Sequence, residues 1–143
     1  MQPHIRIGRL AGIDIGLHYS WIIIAVLITF SLRAHFYEIN PQWSSGTIWS
    51  AALLTGLLFF ASIIVHELGH ALVAKARHLP VQSITLFALG GVAHIERDAA
   101  DAKTEFWMGI AGPLVSVAIG GLCTTSAWVL GWSGATTPSD PPM

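Results

Sequence analysis

The sequence predicts a polytopic membrane protein, all-α apart from one small β-hairpin, with about three transmembrane helices. Three observations predict it. Only 10% of the residues are charged against 53% hydrophobic, whereas a soluble domain carries roughly a quarter charged. Three long runs contain no Asp, Glu, Lys or Arg, as a bilayer core demands. Between the second and third runs, "VQSITLF" and "VAHIE" flank Ala88-Leu89-Gly90-Gly91, the pattern of two strands around a tight turn.

The first run, "IGLHYSWIIIAVLITFSL", gives a span over about 15–32. A cleaved signal peptide is the competing reading. The run exceeds a usual apolar h-region, and "SLRAHFYEINP" offers no small-x-small cleavage site, so a retained helix is expected. Ahead of it, "HIRIGRL" alternates apolar and polar residues, as a short strand or an interfacial segment would. The loop at 33–46 holds Asn40-Pro41 and Ser44-Ser45-Gly46, a turn-rich connector.

The second run, "TIWSAALLTGLLFFASIIV", continues in helical pattern through "HELGHALVAKA" and gives a span over about 47–74. Its uncharged part alone reaches roughly 27 Å as a helix. His78-Leu79-Pro80 ends it, because proline disfavours helical geometry in the preceding residue. The hairpin occupies about 81–96. Its apolar character sets it in the membrane or against the helices, since an open sheet edge cannot face lipid unpaired.

The third run, residues 106–132, carries Gly112, Ser116 and Gly120 at spacing four, a flat stripe on which another helix can pack closely. Glycine is also common in membrane helices, so the stripe has a bland reading too. Pro113 relaxes the backbone nearby. The tail at 133–143 is proline-rich and expected to be flexible. The whole chain reads as one domain.

Trp21, Trp43, Trp49, Trp107, Trp128 and Trp132 fall mostly near span ends, as an interfacial belt would. Arg6, Arg9, Lys75, Arg77, Arg97 and Lys103 lie before the first span or after the second, and Arg33 alone lies between them. That asymmetry puts the N-terminus and the end of the second helix on the cytoplasmic side. The net charge of -1 and scattered basic residues give no reason to expect nucleic acid. A single cysteine, Cys123, excludes a disulfide framework.

His66, Glu67 and His70 form His-Glu-x-x-His on the second helix. Residues four apart lie about 40° apart on one helical face. Two imidazoles thus point to one place, as zinc requires, and Glu67 falls within reach of a bound water. Zinc lowers the pKa of that water to around 7, and a carboxylate can take its proton as hydroxide attacks a carbonyl. Gly69 leaves room at this level for a close backbone. The alternative is that the span stops at Val65 and residues 66–70 sit among headgroups. His4 and His18 read as interfacial, His35 as part of the opposite-side loop, and His78 as solvated. His94 has two readings, an approach to the site from above or a plain strand position.

Three motifs, "VHELGHALVAK" at 65–75, "LFALGGVAHIE" at 86–96 and "GIAGPLVS" at 109–116, with the opening "GIDIGLHYSW", resemble the site-2 protease family of intramembrane zinc metalloproteases. The resemblance covers nearly the whole chain. It implies a Zn2+ cofactor held by His66 and His70, with Glu67 as the catalytic glutamate. It also implies hydrolysis of peptide bonds within or next to a transmembrane segment of another protein, in the plasma membrane of a prokaryote. The hairpin around Gly90-Gly91 matches a membrane-embedded sheet that holds an unwound substrate. Family members often add a cytoplasmic regulatory domain after the membrane core.

One departure stands out. The family's third zinc ligand is an aspartate in an Asp-Gly motif on a later helix, and nothing of that kind follows residue 131. Asp98, Asp101 and Asp140 do not match that motif and receive no ligand role. The expectation is therefore the first part of a family core, lacking the third ligand. The rival expectation is a non-catalytic, membrane-embedded binding or metal-binding fragment.

Overall fold

The computed structural model describes residues 5–87, 90–95 (backbone alone beyond Gly91) and 101–131. Along the chain run β1 (Ile5–Leu10), β2 (Ile13–Leu17), α1 (Tyr19–Ile39), α2 (Ser45–Ala76), β3 (Val81–Phe87), β4 (Gly90–Ile95) and α3 (Ala102–Val129). The three helices have 21, 32 and 28 residues, each long and apolar enough to cross a membrane.

The expected hairpin is the outer half of a larger sheet. Four strands lie in the order β1-β2-β3-β4. β1 and β2 are antiparallel across the Ala11-Gly12 turn, where both residues have positive φ, and β3 and β4 are antiparallel. The halves join through a parallel pair, Ile15 opposite Ile84 and Leu17 opposite Leu86. Residues 15–17, assigned above to the first span, therefore belong to a strand. An apolar run of this kind carries no period that separates buried strand from buried helix.

The α1 helix starts after His18, whose side chain accepts from the Ser20 N–H at 3.3 Å. It continues to Ile39, so Arg33 and His35 are helical rather than part of the connector. Arg33 is tolerated there because its guanidinium lies 5.3 Å from the centre of the Trp49 ring on α2. The two helices pack through Trp21 on Phe60 (ring centres 4.6 Å apart), and Gly56 faces the Thr29 hydroxyl.

The sheet rests on the C-terminal half of α2. Ile13, Ile84, Leu86 and Ala71 form a core that is at most 1% exposed, ringed by Ile63, Ile64 and Leu68 of α2. Lys75 Nζ donates to the Ala11 carbonyl at 2.6 Å, which ties the β1–β2 turn to the end of this helix. The helix closes as a Schellman motif: Leu79 N–H donates to the Ala74 carbonyl and His78 N–H to the Lys75 carbonyl, both at 3.0 Å. His78 holds the left-handed position at φ 62°, where glycine is usual.

Asp101 caps α3, accepting from the Thr104 N–H at 2.8 Å and its hydroxyl at 3.1 Å. This cap starts the helix at Ala102, ahead of the uncharged run. The hydrogen bonds from Thr104, the backbone one foremost, hold the Asp101 carboxyl below the ordinary aspartate value. The tail at 133–143, together with His4, Asp98 and Asp140, lies outside the described residues.

Two outcomes follow from these helix ends. Replacing His78 by glycine relieves the left-handed strain and should stabilise the protein by about 0.5–1 kcal/mol, read from unfolding in detergent micelles. Because folding lowers the Asp101 pKa, its stabilising effect is complete above the ordinary aspartate value. It is lost as pH falls through the lowered folded value. Asp101→Asn keeps an accepting oxygen but cannot ionise, so it should flatten the acid limb of a stability–pH curve.

Candidate metal centre between α2 and α3

The uninterrupted α2 helix carries His66, Glu67 and His70 within one turn. Both histidines turn toward α3. Their Nε2 atoms converge to 3.2 Å. Each outer nitrogen is tied to α3: His66 Nδ1 to the Ser116 hydroxyl at 2.8 Å, and His70 Nδ1 to the Met108 carbonyl at 2.5 Å. Anchoring the far ring nitrogen fixes orientation and frees the near one to act as a ligand.

Gly112 makes this convergence possible. A Cβ at this position would lie 2.6 Å from His66 Nε2 and would overlap His70 Nε2 still more severely. On the opposite side of the crossing, a Cβ at Gly69 would come within 3.0 Å of the Val115 side chain and 3.3 Å of the Ala111 carbonyl. The two glycines let the helices approach at the depth of the imidazoles. Of the small-residue stripe, Gly112 and Ser116 serve this contact. Gly120 has nothing within 4 Å of its Cβ direction among the described residues.

Glu67 lies under β4. A Cβ at Gly91 would sit 2.7 Å from Glu67 Cδ and closer to Cγ, so any larger residue there would push the carboxylate from its place under the strand. Among the described residues no hydrogen-bond donor meets that carboxylate. It opens with His66 and Ser116 into a cavity of about 480 Å³, walled by Trp21, Phe60 and Phe87. Polar groups on an otherwise apolar stretch of helix thus share one cavity.

The donor set can be tested against zinc. Two nitrogens of a tetrahedral site with Zn–N of 2.0–2.1 Å stand about 3.3 Å apart, and the observed 3.2 Å fits that edge. Among the described residues no group of three or more His, Cys, Asp or Glu side chains comes together as a metal site. His18 caps the start of α1, His35 lies on that helix, and His78 is an exposed helix-end residue. The side chain of His94 lies outside the described residues. The sequence pattern pointed to His66, Glu67 and His70 but not to the partners that orient them. Gly112 and Ser116 were visible as a stripe of small residues and within the motif at 109–116, with no role attached, and a backbone carbonyl such as that of Met108 has no sequence signal.

This arrangement is a membrane-helix fold of three apolar helices with a four-stranded sheet docked beside a pair of converging imidazoles. The sequence profile of peptidase family M50 matches residues 54–136, more than half of the chain, and the protein belongs to that family. It is 44% identical over 119 residues to a candidate zinc metalloprotease of Synechocystis sp., covering 83% of this chain and 31% of that protein. It is 37% identical over 120 residues to a zinc metalloprotease of Methanocaldococcus jannaschii, covering 84% of this chain and 31% of that one. Against the solved site-2 protease of the same archaeon, the fold superposes with a TM-score of 0.63 at 34% identity. That match covers 87% of this chain and 51% of the solved chain. The chain thus spans about a third of the length of the sequence relatives it matches. The fold and family make it an integral membrane protein.

The glycine requirement is open to measurement. Gly112→Ala should cost about 1–3 kcal/mol through overpacking, and Gly91→Ala less, because the Glu67 side chain can swing aside. Gly120→Ala should leave the unfolding midpoint in micelles unchanged.

Proposed function

We propose that the protein is the zinc-binding and base-bearing part of a site-2-type protease, hydrolysing peptide bonds within or next to transmembrane segments of other membrane proteins. The observation that carries this reading is the pair of anchored imidazoles, with ligand nitrogens at a separation matching a zinc tetrahedron. His66 and His70 would hold the ion. Since no third protein donor joins them among the described residues, the reading takes the remaining ligand from outside those residues.

Bound zinc supplies a water acidified to near neutrality and a Lewis acid for the scissile carbonyl. The protein's own groups do the rest. Glu67 is the carboxylate available to take a proton from water in the cavity and later return it to the leaving amine. The walls of Trp21, Phe60 and Phe87 keep lipid from the reacting groups. At the end of the sheet, among the described residues, β4 pairs with β3 on one side only. Its outer edge can accept an extended segment, which exposes the carbonyls that a helix would hide.

The cytoplasmic placement of the N-terminus and of the α2 end belongs to the same proposal, in the plasma membrane of a prokaryote. Lys75, which holds the β1–β2 turn at the level of the α2 terminus, supports placing both on one side, and the excess of Lys and Arg in those segments supports that side being the cytoplasmic one. A regulatory domain beyond this core is part of the reading as well.

The rival is a membrane module that binds metal or partner helices without cleavage, and the two-histidine donor set supports it for this chain by itself. Purified in detergent, the 143-residue chain is expected to bind zinc weakly and cleave a helical membrane substrate little. His66→Ala and His70→Ala should each abolish the zinc that is bound. In a longer, active form, Glu67→Gln should lower turnover by about 10²–10⁴-fold with zinc content unchanged. Turnover that survives Glu67→Gln would refute the assigned base.

A further inference from the structure

Two groups on α3 reach the histidines of α2, and their chemistry differs. The Met108 carbonyl faces His70 Nδ1, and the Ser116 hydroxyl faces His66 Nδ1. A carbonyl oxygen only accepts, so neutral His70 carries its proton on Nδ1 and presents a lone pair at Nε2. A hydroxyl can donate or accept, so it does not restrict His66 to one tautomer.

The 3.2 Å between the two Nε2 atoms decides which tautomer is needed. Two lone pairs cannot face one another at that distance without a proton or a cation between them. With no cation bound, His66 must hold its proton on Nε2 and donate it to His70 Nε2. Its Nδ1 then accepts from the Ser116 hydroxyl. With a cation held by both Nε2 atoms, His66 must hold its proton on Nδ1 and donate to Ser116 Oγ. One proton leaves Nε2 and one arrives at Nδ1 through water in the cavity that both groups line. The ring stays neutral, and it need not turn.

Resting on the metal-site reading above, we infer that Ser116 is a positioning residue for His66. It is a two-way hydrogen-bond partner that holds the ring in one orientation through both tautomers, while the Met108 carbonyl keeps His70 in a single one. When the hydroxyl is not donating to His66, it can turn to the Gly112 carbonyl one helical turn back, a bond serine commonly makes in helices. A carboxylate at 116 could only accept, and an aliphatic side chain could do neither. The hydroxyl therefore matters for its dual capacity as well as its size.

The test compares Ser116→Thr, Ser116→Val and Ser116→Ala in the full chain in micelles. Threonine and valine share a shape and differ by the hydroxyl. Nitrogen chemical shifts of the imidazoles, recorded metal-free and above the histidine titration range, should show His66 protonated on Nε2 and His70 on Nδ1. Ser116→Thr should preserve both states. Ser116→Val and Ser116→Ala should leave His70 unchanged and release the His66 ring from the orientation that brings its Nε2 to His70, so that the neighbouring lone pair no longer fixes its tautomer and both forms appear.

Zinc affinity, measured by competition with a chromophoric chelator, should fall about 10–100-fold in the valine and alanine variants. Threonine should stay within about threefold of wild type. His66 protonated on Nδ1 in the metal-free wild type would overturn the inference. So would equal zinc affinities for Ser116→Thr and Ser116→Val, or a wild-type affinity for Ser116→Ala. A wild-type zinc affinity that ignores His66→Ala and His70→Ala would sink the metal-site reading instead, and the metal-free shifts would still decide the role of Ser116.

Discussion

Everything at the site depends on how closely α2 and α3 approach at the level of Gly112. Helical spacing brings His66 and His70 to one face, but a face is not a site. The imidazoles converge because the opposing helix has no side chain where they meet, and Gly69 returns the same allowance to Val115 and the Ala111 carbonyl. Once the backbones are that near, Ser116 and Met108 fall within hydrogen-bonding distance of the outer ring nitrogens. One steric condition thus sets the distance, the orientation and the tautomers together.

The same contact addresses the cost of polar side chains in an apolar helix. An ionised group at the bilayer centre costs roughly 2.5–3.5 kcal/mol on insertion scales. Here the imidazoles lie against α3, and Glu67 borders a cavity roofed by β4. The sheet can lie against the apolar part of α2 because its inner strands satisfy one another's backbone groups, and because Ile13, Ile84 and Leu86 pack against the helix. Ordered strands at this depth are compatible with the rule against unpaired backbone in hydrocarbon.

Local patterns were sufficient where the physics is local. The end of α2 before Pro80, the antiparallel pairing of β3 with β4 and the helical face of the His-Glu-x-x-His pattern each depend on neighbours within a few residues. Pairing of β2 with β3 joins residues about seventy apart in sequence, across two helices, and no periodicity reports it. The strand at residues 15–17 was absorbed into the first span for that reason. α1 ran past the expected boundary because Arg33 finds the Trp49 ring on another helix.

By itself the sequence determined that the chain is a membrane protein with three long apolar segments, and that two imidazoles and a carboxylate share one turn of the second. Those properties follow from composition and from the fixed pitch of a helix. Only the tertiary structure decided that α3 supplies the partners of both rings, that β4 crosses Glu67 at a glycine, and that four strands form one sheet. Each of those depends on which distant backbones come close enough to touch, and that is set by the packing of whole elements.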